Sequence, residues 1–185
     1  LARKAVEQYD SPDHPRFVAG SMGPTTKTLS VTGGATFEQL AESYEEQTKG
    51  LLDGGVDVLL LETSQDLLNV KAAYIGMKRA FESAGREVPL MISGTIEPMG
   101  TTLAGQTIEA FYISTAHMNP LVIGLNCATG PEFMADHLRS LSELSNGAVS
   151  CYPNAGLPDE NGDYNETPSS LSKKIKQFAE KGWVN

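Results

Sequence analysis

The sequence predicts an α/β fold, an incomplete (β/α)8 barrel of the TIM type that holds about five of the eight βα units. Three observations carry this expectation. Five short runs are apolar throughout, Phe17–Gly20, Val56–Glu62, Pro89–Thr95, Leu121–Cys127 and Ala148–Pro153, as parallel strands covered on both faces require. Segments with a helical period separate them, and strand onsets recur at roughly 27 to 40 residues, the spacing of repeated βα units. Polar residues stand at the strand exits, namely Ser21, Glu62, Thr95, Asn126-Cys127 and Asn154, which is where a barrel keeps its chemistry. A doubly wound sheet is the other candidate. It would bring a glycine fingerprint in its first turn, and neither G-x-G-x-x-G nor G-x-x-x-x-G-K-[ST] occurs.

Each element has its own signals. Leu1 to Asp10 is charged and helical in character. After the first strand, Phe37, Leu40, Ala41, Tyr44 and Leu51 form an apolar stripe, opened by the capping box Thr36-x-x-Gln39 and closed at Gly54-Gly55. The second strand leads through Ser64 and Asp66, residues suited to a helix cap, into the stripe Leu67, Val70, Tyr74, Met77 and Phe81, which Gly85 ends. After the fourth strand, Thr129-x-x-Glu132 fits a second capping box, and Gly147 stands where a left-handed cap would follow that helix. Beyond the fifth strand, Asp159 to Glu166 reads as a solvated polar loop. Thr167-Pro168 then opens the stripe Leu171, Ile175 and Phe178.

The chain has 185 residues, 40% of them apolar, enough to bury a core of one domain or most of one. Its net charge of -9, from 23 acids against 14 bases, repels a phosphate backbone and argues against nucleic acid as a partner. No apolar run approaches the roughly 18–20 residues of a membrane span, and the first residues have no signal-peptide core, so a cytoplasmic protein is expected. The chain begins in a helix without Met and stops at Gly182-Trp183-Val184-Asn185 as if another strand were about to start. Residues 1–185 are therefore expected to be a partial barrel domain truncated at both ends.

Cys127 is the residue with the most chemical promise. It follows Asn126 at the exit of an apolar strand and precedes a helix start, whose dipole favours a thiolate. A nucleophile and a metal ligand are both open on these grounds, beside plain packing. The three histidines point away from a Cys–His pair: His14 lies in a Pro-flanked loop, and His117 and His137 fall on or near outer helices. Cys151, two residues before Pro153 and within a strand, reads as structural burial, and a disulfide between the two cysteines does not suit this class of protein.

Five segments, taken together, resemble the homocysteine-binding modules of cobalamin-dependent methionine synthases, in the homocysteine S-methyltransferase family. They are Phe17 to Thr25, Leu60-Leu61-Glu62-Thr63, Met91 to Ile96, Gly124-Leu125-Asn126-Cys127-Ala128 and Pro153-Asn154-Ala155-Gly156-Leu157-Pro158, in order over nearly the whole chain. Betaine and S-methylmethionine enzymes share the Asn-Cys strand end; the run from Gly94 to Phe111 is more similar to the cobalamin-dependent type.

The resemblance implies a zinc ion held by three cysteine thiolates, of which Cys127 matches the first. The other two form a Cys-Cys pair expected beyond Asn185. Zinc would activate the homocysteine thiol, whose thiolate is the nucleophile, and a catalytic zinc keeps an exchangeable position for substrate. It further implies Glu62 on the substrate ammonium, Asn126 and Thr95 on the substrate side, and the Asn154 side-chain oxygen in the open zinc position when substrate is absent. Asn126 and Asn154 as turn residues and Glu62 as a solvated acid remain open. The methyl group would come from methylcobalamin on another domain, replenished from methyltetrahydrofolate on a third, and these 185 residues alone are expected to be inactive. The alternatives are a homocysteine methyltransferase with betaine or S-methylmethionine as donor, and an aldolase-like or binding-only barrel. Against an aldolase, Lys71 and Lys78 belong to a helix.

Overall fold

A computed structural model describes residues 1–185. Its five strands are β1 (Ala19–Met22), β2 (Val58–Ser64), β3 (Leu90–Gly94), β4 (Val122–Asn126) and β5 (Ala148–Tyr152). All neighbours pair in parallel, in the order β1-β2-β3-β4-β5. Order in the sheet equals order in the chain, so the winding never reverses. A doubly wound fold needs such a reversal at its ligand crevice; a sheet wound one way is an arc of a barrel.

Six α-helices accompany the strands: α1 (Ala2–Val6), α2 (Phe37–Asp53), α3 (Leu67–Ala84), α4 (Ile108–Thr115), α5 (Pro131–Leu144) and α6 (Pro168–Glu180), with a single 3-10 turn, Ala116–Met118, after α4. No helix is long and apolar enough to cross a membrane. Side chains alternate along a strand. Leu59, Leu61, Leu90, Ile92, Ile123, Leu125 and Val149 are buried in one core with Tyr44, Val70, Met77, Phe111, Leu138 and Phe178 of the helices. The opposite, concave face carries Ser21, Leu60, Glu62, Met91, Ser93, Gly124, Asn126, Ser150 and Tyr152, and the register keeps these in rows: Ser21 beside Leu60 beside Met91, Ser93 beside Gly124 beside Ser150, and Asn126 beside Tyr152.

The bottom of the sheet is built for stability. Asp57 accepts from the Arg3 guanidinium (2.8 Å) and from the Val18 backbone N–H (2.7 Å), tying α1 and the entry to β1 onto β2. The α2–α3 contact is set by Gly76, where an added Cβ would overlap the Ala41 carbonyl oxygen and come within 2.8 Å of the Glu45 nitrogen.

Several boundaries differ from expectation. β1 begins at Ala19, and Phe17, 69% exposed, lies outside it. The tether from Asp57 to Val18 places the chain before pairing starts. β2 runs on through Thr63 to Ser64, with an irregularity after Leu61, so Glu62 sits inside the strand rather than at its end. The box at Thr36 forms as expected, Thr167 caps α6 as expected and also makes a capping box with Ser170, and Asp66 caps α3. The box at Thr129 does not. α5 starts one residue later, with Gly130 as N-cap and Pro131 in the first turn, because Thr129 is drawn back to the Cys127 carbonyl (2.6 Å). Gly55 and Gly85 take left-handed backbone, but Gly54 does not; Gly147 does not either, since α5 ends at an extended Ser145.

Candidate functional site

The C-terminal ends of β2, β3 and β4 meet on one residue. Asn126, the last residue of β4, is fully buried, and its Oδ1 accepts from the Thr63 backbone N–H (3.0 Å) and the Ser93 hydroxyl (2.6 Å). The Thr63 N–H is only a donor, so Oδ1 must face it. That leaves Nδ2 to donate to Thr63 Oγ1 (2.9 Å) and to Cys127 Sγ (3.1 Å). One side chain thus joins three strands and presents an N–H to the sulfur.

Local backbone geometry belongs to the same arrangement. Thr63, Cys127 and Ala128 have φ of 58°, 54° and 56°, left-handed values that cost a residue with a Cβ on the order of 1–3 kcal/mol each. A β-branched residue such as Thr63 is an outlier there. The Asn126 bonds to both polar groups of Thr63 hold it. The Cys127–Ala128 turn is held by Cys127 N–H to the Tyr152 carbonyl (3.3 Å) and by Thr129 N–H to the Cys127 carbonyl, which turns the half-buried sulfur out of the strand line.

Glu62 forms the other half of the mouth. Its Oε1 accepts from the Ser21 hydroxyl and its Oε2 from the Tyr152 hydroxyl (3.1 Å). It has no Lys or Arg partner, whereas Glu38, Glu45, Asp57, Glu87 and Glu166 each have one. Burial pushes the Tyr152 phenol up to about 12, so it remains a donor at any physiological pH. Burial likewise pushes the Cys151 thiol up to about 11, which makes it inert beside the core it packs against.

Of the residues expected at the site, Glu62, Asn126 and Cys127 are linked at one mouth. Thr95 lies just past β3, fully buried, with its N–H on the Ser64 carbonyl (3.1 Å) and its hydroxyl without a hydrogen-bond partner. Asn154 reaches the mouth through its backbone, donating to the Thr129 carbonyl (3.1 Å). Ser21, Thr63 and Ser93 complete the network, and Tyr152 closes it. The Tyr152–Glu62 contact spans 90 residues of chain and had no local signal, whereas the alternation of β3 and β5 could have pointed Ser93 and Tyr152 inward. His14 and His117 are exposed, with His117 set edge-on to Tyr74, and His137 lies on α5, so none is tied to Cys127.

A zinc site needs three or four donors at bonding distance. No group of three His, Cys, Asp or Glu side chains is placed to hold a metal. Cys127, with an amide N–H on its sulfur, suits a single metal-bound thiolate; the donors within these residues do not make a complete site.

Solved structures share this architecture. The metallated form of the homocysteine methyltransferase MmuM from Escherichia coli superposes with a TM-score of 0.73 at 21% identity, over 98% of this chain and 59% of that one. Its apo form gives 0.71 at 20% identity, over 98% and 60%. The chain thus spans about 60% of the length of these proteins, and at such identity the likeness is one of fold. The sequence profile of the homocysteine S-methyltransferase family, however, matches residues 1–185. With an arc of a TIM-type barrel and that match along its whole length, the chain belongs to the homocysteine S-methyltransferase family.

Proposed function

We propose that this chain is the homocysteine-binding part of a methionine synthase that takes its methyl group from methylcobalamin. The observation that carries the reading is the pairing, at one barrel mouth, of the sulfur of Cys127 with a carboxylate, Glu62, that has hydroxyl donors but no cation. Homocysteine has complementary ends. Its ammonium supplies the positive charge that Glu62 lacks, and its thiol lies toward Cys127. In the reaction the homocysteine sulfur loses its proton and gains a methyl group, giving methionine.

The residues of this chain would hold and orient the acceptor. Glu62 anchors the ammonium, and Asn126 fixes the turn that carries Cys127. The Thr95 hydroxyl, buried and without a hydrogen-bond partner, would be available to the substrate. Positioning of this kind removes much of the entropic barrier to a two-body transfer. Cys127 would serve as one zinc ligand, and the side-chain oxygen of Asn154 as an occasional one. The remaining cysteines would lie outside these residues, within a larger barrel whose further strands pair with the open edges of β1 and β5. Cobalamin and methyltetrahydrofolate would be bound by other domains, and the cytoplasm suits two unpaired cysteines.

The choice of donor rests on the resemblance of Gly94 to Phe111. In the structure this run leads from the end of β3 into α4 through a loop tied by Glu97 N–H on the Thr101 carbonyl (2.8 Å) and Ala104 N–H on the Gln65 carbonyl (3.2 Å). The test is methyl transfer to homocysteine by the complete protein, with methylcobalamin, betaine and S-methylmethionine offered separately. Methionine from methylcobalamin, lost in Cys127→Ala, is the expected result. Methionine formed from betaine or S-methylmethionine instead would replace the donor, and no use of homocysteine with any donor would end the reading.

A further inference from the structure

Tyr152 is the inner-face residue with the longest reach. It ends β5, three strand positions from β2, and a flat sheet would place those strands about 14 Å apart at roughly 4.8 Å per spacing. Its hydroxyl nonetheless lies 3.1 Å from Glu62 Oε2. Curvature of the sheet brings the two together across the concave face. Tyr152 is 37% exposed as a residue and stands outside the buried core.

The contact does something that Ser21 alone cannot. Ser21 holds Oε1 and Tyr152 holds Oε2, and bonds to both oxygens fix the plane of the carboxylate, which a single bond would leave free to pivot. A carboxylate offers about four acceptor sites. Two are used by these hydroxyls, and no Lys or Arg uses the others. The same residue also accepts from the Cys127 N–H through its backbone carbonyl (3.3 Å). Tyr152 therefore ties the turn that carries the sulfur to the group that would receive the ammonium, and so sets the spacing between the two ends of the site.

We propose that Tyr152 is a positioning residue that, with Ser21, aligns the Glu62 carboxylate on the ammonium of the substrate amino acid, so that the site selects thiols bearing an α-amino group. The inference rests on the homocysteine reading of Glu62 above. It assigns Tyr152 no contact with the reacting sulfur; it acts through Glu62.

The experiment compares L-homocysteine with 4-mercaptobutyrate, which keeps the thiol and carboxylate but lacks the ammonium, by calorimetric titration of the complete protein. Tyr152→Phe keeps the ring and removes only the hydroxyl. We expect it to weaken homocysteine binding by about tenfold, the scale of one hydrogen bond to a charged group, and to leave 4-mercaptobutyrate binding unchanged. Glu62→Gln should lose most of the preference for homocysteine, and adding Tyr152→Phe to it should cost nothing further. Equal weakening of both thiols by Tyr152→Phe, or wild-type preference in that variant while Glu62→Gln loses it, would overturn the role of Tyr152 alone. Full preference retained in Glu62→Gln would overturn the ammonium reading, and the role of Tyr152 with it.

Discussion

Asn126 is fully buried, and its bonds reach the buried Ser93 hydroxyl, both the N–H and the hydroxyl of the partly buried Thr63, and the Cys127 sulfur. Asn126→Ala leaves the buried Ser93 hydroxyl and the partly buried Thr63 N–H without their acceptor and removes the restraint on two left-handed residues. At 1–3 kcal/mol for each unsatisfied buried group, we predict a loss of about 3 kcal/mol in stability, measured by urea unfolding, and a parallel loss of homocysteine binding. The two cysteines differ as sharply. With its thiol pushed up to about 11 by burial, Cys151 is thiolate to about one part in a thousand at pH 8. Iodoacetamide at that pH should label Cys127 well before Cys151, and the Cys151 rate should climb about tenfold per pH unit toward 11, as peptide mass mapping would register. Equal labelling at pH 8 would contradict the placement of Cys151.

Among the elements, the α2–α3 contact sets two principles against each other at Gly76. Ala is the better helix former by about 1 kcal/mol, so propensity alone favours Gly76→Ala. The added Cβ, however, meets backbone of α2 at Ala41 and Glu45, which cannot rotate away. We predict that packing wins and Gly76→Ala destabilises the protein by about 2 kcal/mol, read from denaturant midpoints. Helical stripes and the capping box at Thr36 were legible in the sequence because they are local: Thr36 and Gln39 meet within one turn whatever surrounds them. The failed box at Thr129 shows the limit. Its sequence pattern is complete, but the strained turn at Cys127 claims the Thr129 N–H first and the helix starts on Gly130-Pro131. The shift of β1 away from Phe17 has a similar cause, since the Asp57 tether to Val18 lies 39 residues away in the chain.

The winding of the whole molecule was legible from uninterrupted apolar runs and βα spacing, and a sheet ordered as the chain agrees with it. Glu62, Asn126 and Cys127 were visible as polar exits from apolar strands. Ser21 and Ser93 as partners depend on strand register, which pairs β1 with β2 and β3 with β4, and Tyr152 as a partner of Glu62 depends on the curvature of the sheet across three strands, neither of which is written locally in the sequence. Alkaline stability is a property of this assembled core. Tyr44 is pushed from 10.0 to about 12 by burial, and Cys151 from 9.0 to about 11. Both folded values lie above the unfolded ones, so their contribution is complete below about pH 9 and is lost as pH rises toward 12. Unfolding free energy should therefore fall across that window, and Tyr44→Phe should flatten the part of the decline above pH 10.

The mouth joining Cys127 to Glu62 is proposed above as a zinc-dependent homocysteine site. That reading is tested most directly by counting zinc in the complete protein and titrating homocysteine, for wild type and Cys127→Ala. One zinc per chain is expected, with homocysteine binding that disappears when the metal is stripped, and loss of both in Cys127→Ala. Zinc content and homocysteine affinity that are the same with and without the Cys127 sulfur would contradict it.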